Sequence, residues 1–229
     1  MDENELFETL IESGVLSAQD DGEVRPSSDF ESVVSRYDER IRDETDLGEE
    51  LRAVDTPSGR VADFVAVADE APDFVARYLA VRDVAEALGF VESVRVVILL
   101  DRFTGSVPPT DGSPEPFLPV AGERLPAMLG VFPVAVVYVW RERCPDCDEM
   151  RDALESVFER GHDSVTLLSV YGPDCAEMLE DRYDVVGGPT TLFVVDGTID
   201  SRLQGAHVEE VVEREVDNSL TTAEMRGVR

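Results

Sequence analysis

Ahead of residue 104, apolar residues recur at helical spacing. Leu6, Phe7, Leu10 and Ile11 form one stripe, closed by Gly14 at a C′ position. Ser28 and Glu31 read as a capping-box pair opening a helix with Phe30, Val33, Val34, Tyr37 and Ile41 on one face. Val61, Phe64, Val65 and Ala68 mark another turn or two. A longer helix is expected from Pro72, with Phe74, Tyr78, Val81, Ala85 and Leu88 inward and Gly89 ending it. Val94–Leu100 has the β-branched content of a strand, but its surroundings make helix the better fit. These stripes predict a helical core rather than a cofactor box.

The pattern then breaks. Thr104–Glu123 holds Pro108, Pro109, Pro114, Pro116 and Pro119 with Gly105, Gly112 and Gly122, which favours an extended connection over packed helix. Downstream the period changes. Val134–Trp140 is a buried strand by composition, Asp148–Arg160 is helical with Met150, Leu154, Val157 and Phe158 in stripe, and Val165–Val170 is a second strand. Cys175, Met178, Leu179, Arg182 and Tyr183 again sit at helical spacing. Thr190–Val195 and Thr198–Leu203 flank Asp196-Gly197, a hairpin signal. Val208, Val211, Val212 and Val216 predict a last amphipathic helix. The early strands need a parallel crossover and the final pair is antiparallel, so an α/β fold with a mixed sheet is expected.

Composition changes what partners to expect. The 229 residues include 50 Asp or Glu and 20 Arg, with no lysine, for a net charge of −30. The charge is spread: 26 acids face 10 arginines in residues 1–103, and 24 face 10 in residues 104–229. Such acidity repels phosphate backbones and anionic lipid, so neither a nucleic-acid nor a membrane partner is expected. Evenly distributed acid with arginine as the cation resembles the cytosolic proteins of extreme halophiles. In about 1 M salt the Debye length is only ~3 Å, which screens the self-repulsion. Apolar residues still make up 43% of the chain, enough for real cores and against global disorder. Met1-Asp-Glu-Asn-Glu-Leu-Phe is acidic where a secretory leader is basic and then apolar. Val131–Trp140 is about half the length of a membrane span, and three cysteines do not make a disulfide scaffold. A cytoplasmic, reducing location is expected.

Candidate chemistry centres on Cys144-Pro-Asp-Cys147, at the junction of a strand and its helix. Pro145 suits the first helical position, which puts Cys144 at the N-cap and Cys147 one turn in. Free N–H groups and the positive end of the helix dipole then face the Cys144 sulfur and favour its thiolate. Cys147 shares a face with Met150, Leu154 and Phe158. The expectation is an exposed nucleophile at Cys144 and a buried resolving thiol at Cys147. Half of a zinc site and an inactive pair are the alternatives. Zinc would need two further ligands from Cys175, His162 and His207 or from carboxylates, and no second C-x-x-C exists. No metal site is expected.

Trp140-Arg-Glu-Arg-Cys-Pro-Asp-Cys, with Tyr183-Asp-Val-Val-Gly-Gly-Pro189-Thr-Thr-Leu-Phe-Val-Val-Asp-Gly and Gly205 downstream, resembles the thioredoxin family over Leu118–Leu220. The resemblance implies a thioredoxin-like mixed sheet flanked by helices, with Pro189 as a cis proline facing the cysteines and Gly188 pairing with a substrate backbone. It also requires a first strand near Pro116–Val120 and a helix near Glu123–Gly130. The implied organisation is a helical domain over 1–103, a Pro/Gly-rich linker over 104–114 and the thioredoxin-like domain over 115–222. Three departures bear on activity. Tyr138 stands where the family carries a buried Asp, Arg143 where an aromatic residue usually precedes the first cysteine, and Gly188 where a bulky apolar residue usually precedes the proline.

What the resemblance implies is a thiol–disulfide oxidoreductase that reduces protein disulfides through Cys144 and Cys147. Gly188, Pro189 and Arg143 would meet the substrate. No bound cofactor is implied, and electrons would come from a thioredoxin-reductase-type donor. Asp146, Asp148 and Glu149 oppose the thiolate while Arg141 and Arg143 favour it, and a less stabilised thiolate makes a reducing couple. The alternative is a protein-interaction or redox-sensing module with little turnover. Elsewhere, Cys175 reads as a packed core thiol, and His162 and His207 as surface or capping residues. The Ser27-Ser28 helix start has the look of a winged-helix binding module, but Arg36, Arg40 and Arg42 read as a solvated face paired with Asp38, Glu39 and Asp43.

Overall fold

The computed structural model describes residues 3–18, 22–43, 46–104, 107–162 and 164–228. Gly105 and Ser106 of the proline-rich stretch lie outside the described residues. The chain forms two units, dividing between Ser106 and Val107.

The first unit is helical around one hairpin. Helix α1 (Glu3–Glu12) leads into strands β1 (Leu16–Ala18) and β2 (Val24–Pro26), an antiparallel pair. Helices α2 (Ser28–Arg42), α3 (Leu47–Ala53), α4 (Val61–Glu70), α5 (Pro72–Val84) and α6 (Phe90–Thr104) follow. The cap of α2 is Ser27, one residue before the expected one: its extended backbone lets its hydroxyl accept the Phe30 N–H at 3.1 Å. Helix α5 ends at Val84, four residues before the expected Leu88, and Ala85 caps it. From Phe74 to Val81 all but Arg77 are buried, so α5 has almost no solvent face. The Phe64 and Tyr78 rings pack at a tilt, centroids 4.2 Å apart, and the Tyr78 hydroxyl meets Thr56 at 3.1 Å. Val94–Leu100 is helical, inside α6. The arginine face is neutralised by Arg36–Asp83, Arg40–Glu50 and Arg42–Asp38, of which only Asp38 is an expected partner.

The second unit is an α/β layer structure. Its elements are β3 (Leu118–Pro119), α7 (Leu125–Val131), β4 (Val134–Trp140), α8 (Pro145–Val157), β5 (Thr166–Tyr171), α9 (Ala176–Tyr183), β6 (Thr190–Val195), β7 (Thr198–Gln204) and α10 (Glu209–Arg226). The sheet order is β3-β5-β4-β6-β7. Strands β3 and β4 run parallel to β5, and β6 runs antiparallel to both β4 and β7. This is the thioredoxin-like mixed sheet flanked by helices, with a helical region before it. Asp196 and Gly197 both take positive φ, 51° and 70°, as a tight two-residue hairpin turn requires. Every residue of β4 is buried. Strand alternation places Val134, Val136, Tyr138 and Trp140 on one face, in a single core with Met150, Leu154 and Phe158 of α8 and Val212 and Val216 of α10.

The start of this unit is fastened to the sheet. Ser113 bonds Ser169 through their hydroxyls at 2.5 Å, and Phe117 meets Phe158 edge to face at 5.6 Å.

Candidate active site

The end of β4 and the start of α8 bring the two cysteines together. Arg143, with φ +53°, makes the sharp turn between them. Cys144 then takes an extended backbone at the N-cap, and Pro145 occupies the first helical turn, where its missing N–H leaves no bond unmade. The Cys144 sulfur accepts the Cys147 N–H at 3.2 Å, and the Cys144 carbonyl accepts the N–H groups of Cys147 and Asp148 at 2.9 and 3.1 Å. Cys144 therefore caps the Cys147 N–H, with the sulfur in the place a capping oxygen usually takes. The two sulfurs are joined as a disulfide, with Cα atoms 5.1 Å apart.

The expectation of an exposed Cys144 does not hold. Cys144 and Cys147 are each 4% exposed and both belong to the core that contains Tyr138 and Trp140. The capping geometry turns the Cys144 sulfur inward, toward the helix end and the loop before β6. The Gly188 carbonyl lies 3.7 Å from it, and the Gly188–Pro189 peptide is cis.

Gly188 and Pro189 thus stand beside the cysteine pair. A Cβ on Gly188 would come within 3.0 Å of the Val139 carbonyl oxygen and 3.3 Å of the Trp140 Cα. The missing bulky residue has a physical reason: this loop runs against the backbone at the end of β4. Beside it opens a cavity of about 180 Å³, lined by Leu179 and Val185 and bordered by Arg141, Ala176, Glu180 and Val186. Val186 is 77% exposed, the apolar rim of that opening.

Charge is arranged around the pair rather than within it. Asp146, Asp148 and Glu149 are exposed on α8, as are Arg141, Glu142 and Arg143 before it. Arg151 engages Asp148 at 3.3 Å and Asp152 at 3.6 Å. Tyr138, on β4, is fully buried, and its hydroxyl donates to the Cys147 carbonyl at 2.6 Å. Burial holds that phenol far above its ordinary range; Arg151 opposes the shift, and Asp148 and Asp152 add to it. The side chain at this position is thus a neutral hydrogen-bond donor. Only the chemistry of the substitution could be read from the sequence. The reach of the hydroxyl across to the helix could not.

The remaining candidates lie apart from the pair. Cys175 caps α9, half-buried, its sulfur 3.7 Å from the Tyr171 carbonyl. Burial, with Asp174 and Glu123 adding, pushes its thiol up to about 11. His162, which is exposed, accepts the Ser164 N–H, and His207, half-buried, lies 3.1 Å from the Gln204 carbonyl. Among the described residues, no group of three or more His, Cys, Asp or Glu could hold a metal ion, and no helix is long and apolar enough to cross a membrane.

No family model matches the chain, and no curated protein matches it. Among solved structures it is similar to a single-site mutant thioredoxin from Halobacterium salinarum NRC-1, at 18% identity and a TM-score of 0.40, over 47% of this chain and 93% of that one. It is similar to oxidised mitochondrial thioredoxin 3 from Saccharomyces cerevisiae at 14% identity and a TM-score of 0.40, over 44% of this chain and 94% of that one. A mutant thioredoxin from Entamoeba histolytica matches at 21% identity and a TM-score of 0.39, over 44% of this chain and 98% of that one.

Proposed function

We propose that this chain is a thiol–disulfide oxidoreductase that reduces protein disulfides through Cys144 and Cys147. The observation that carries the reading is the Cys144 sulfur at the N-cap of α8, taking the Cys147 N–H at 3.2 Å. Backbone donors and the dipole at that end favour a thiolate there. In the dithiol form, Cys144 attacks a partner disulfide and forms a mixed disulfide, releasing one partner sulfur as a thiol. Cys147 then attacks the Cys144 sulfur and releases the second. The two electrons and two protons of the dithiol pass to the partner, so no bound cofactor is needed. A thioredoxin-reductase-type protein would return the electrons in a reducing cytoplasm.

Gly188 and Pro189, beside Cys144, would receive the partner's backbone, and the neighbouring apolar cavity a side chain. Arg143 would meet the partner from the exposed turn. The local acids oppose the thiolate, which makes the couple reducing. A potential as high as about −120 mV, that of a strong oxidant, overturns that part of the reading.

A Cys147→Ser variant tests the whole. It should trap disulfide-bearing proteins on Cys144, and alkylation of the reduced chain should modify Cys144 fastest at neutral pH. The second reading is an interaction or redox-sensing module with little turnover. Burial of both sulfurs and the absence of a carboxylate at Tyr138 favour it. An empty trap with a Cys144 no faster than a model thiol decides for that module.

A further inference from the structure

Cys147 is held from both sides. Its N–H is engaged by Cys144, at the sulfur and at the carbonyl, 3.2 and 2.9 Å away. Its own carbonyl accepts the Tyr138 hydroxyl at 2.6 Å. Tyr138 sits on β4, the middle strand of the sheet, opposite Ser169 of β5 and Thr191 of β6. Its ring is packed in the same core as the two cysteines. One buried hydroxyl therefore ties the first turn of α8, which carries both sulfurs, to the central strand of the sheet, which is buried along its whole length.

We infer that Tyr138 is a positioning residue for the exchange reaction: its hydrogen bond holds Cys147 where its sulfur can displace a partner from Cys144. The inference rests on the oxidoreductase reading and adds to it a determinant of the resolving step. The chemistry is differential. Closing the Cys144–Cys147 bond fixes the first turn of α8, and a turn already fixed in the dithiol loses less freedom on closure. Because burial keeps the phenol protonated, the donor is present at every pH where the thiols exchange. Arg151, Asp148 and Asp152 are the charged groups around it. Within α8 the Cys147 carbonyl also faces the Arg151 backbone N–H of the helical ladder, so the Tyr138 hydroxyl is a second donor to it, reaching in from the sheet.

The reaction that reads this out balances simply. The reduced full-length chain and glutathione disulfide give the Cys144–Cys147 disulfide and two glutathione thiols. Cys144 takes one glutathione as a mixed disulfide and releases the other. Cys147 then displaces the first, and both thiol protons pass to the released glutathiones.

Tyr138→Phe keeps the packed ring and removes only the donor. Its equilibrium constant for oxidation should fall more than twofold and by up to about tenfold, the whole worth of one such bond being the ceiling, and the glutathione adduct on Cys144 should accumulate. Val136→Ala is the control, since it loosens the same core from the same strand without removing a hydrogen-bonding group. It should lower the unfolding midpoint but leave the equilibrium constant within about twofold. An unchanged constant in Tyr138→Phe overturns the inference. So does an equal fall in Val136→Ala, which makes the role merely structural. If the parent chain itself forms no Cys144–Cys147 disulfide with glutathione, the oxidoreductase reading fails first, and this one with it.

Discussion

Gly112 lies flat against the ring of Trp140, so close that any Cβ on it would overlap the indole. The start of the second unit is thereby laid over the last residue of the central strand, four positions before Cys144. Gly112→Ala should cost about 1–3 kcal/mol, the range for overfilling a packed site. Trp140 is the only tryptophan. Its fluorescence should shift as the indole moves, and urea unfolding measures the loss.

Gly188 meets a harder wall, because the nearest atom to its missing Cβ is the backbone carbonyl oxygen of Val139 at 3.0 Å. Gly188→Ala should destabilise the oxidised chain by about 1–2 kcal/mol. It should also slow exchange by displacing the loop beside Cys144. A variant as stable and as active as the parent would show that the end of β4 can yield.

Arg143 combines two effects that one substitution separates. Its φ of +53° is strained for a side-chain-bearing residue, so Arg143→Gly should stabilise the fold by up to about 1 kcal/mol. The same change removes a cation beside Cys144. Alkylation of Cys144 should therefore slow while the unfolding midpoint rises, and the slowing should shrink in high salt.

Cys175 sets a pH dependence with a definite sign. Burial first, then Asp174 and Glu123, raise its thiol to about 11 from an ordinary 9.0. Between those values the folded chain keeps a proton that the unfolded chain has lost, so stability falls as pH rises through this window. Cys175→Ala should lose less stability than the parent between the two values in urea titrations. In the native reduced chain Cys175 should also be the last cysteine alkylated.

Legibility in the sequence followed the range of the interaction. The Asp196-Gly197 turn and the Val134–Trp140 strand could be read because turn chemistry and burial are local. Helix α5 was overextended because its buried positions leave no polar face to mark an end. Strand β3 is only Leu118–Pro119 and contains a proline, so its existence rested on the family resemblance. At the site, the cap at Cys144 was legible from the position of Pro145, and the proline opposite was implied by the family resemblance. The inward turn of the Cys144 sulfur was not, because it depends on the loop before Pro189. Gly188 read as the loss of a bulky apolar residue before the proline, and the close approach of Val139 that requires it is a tertiary fact. Tyr138 read as the lack of a base, while what it supplies to Cys147 appears only in three dimensions.

Strands β3 and β7 stand at the two margins of the sheet, and neither offers a long free backbone ladder of apolar residues. The first is two residues long, with Pro116 and Pro119 unable to donate an N–H. The second carries Asp200, which accepts from Ser219 and Thr222 at 3.2 and 3.3 Å, and Arg202, which donates to the Asp184 carbonyl at 2.8 Å. Such margins are poor templates for an added strand. A sheet built this way resists growing into its neighbours when the protein is concentrated.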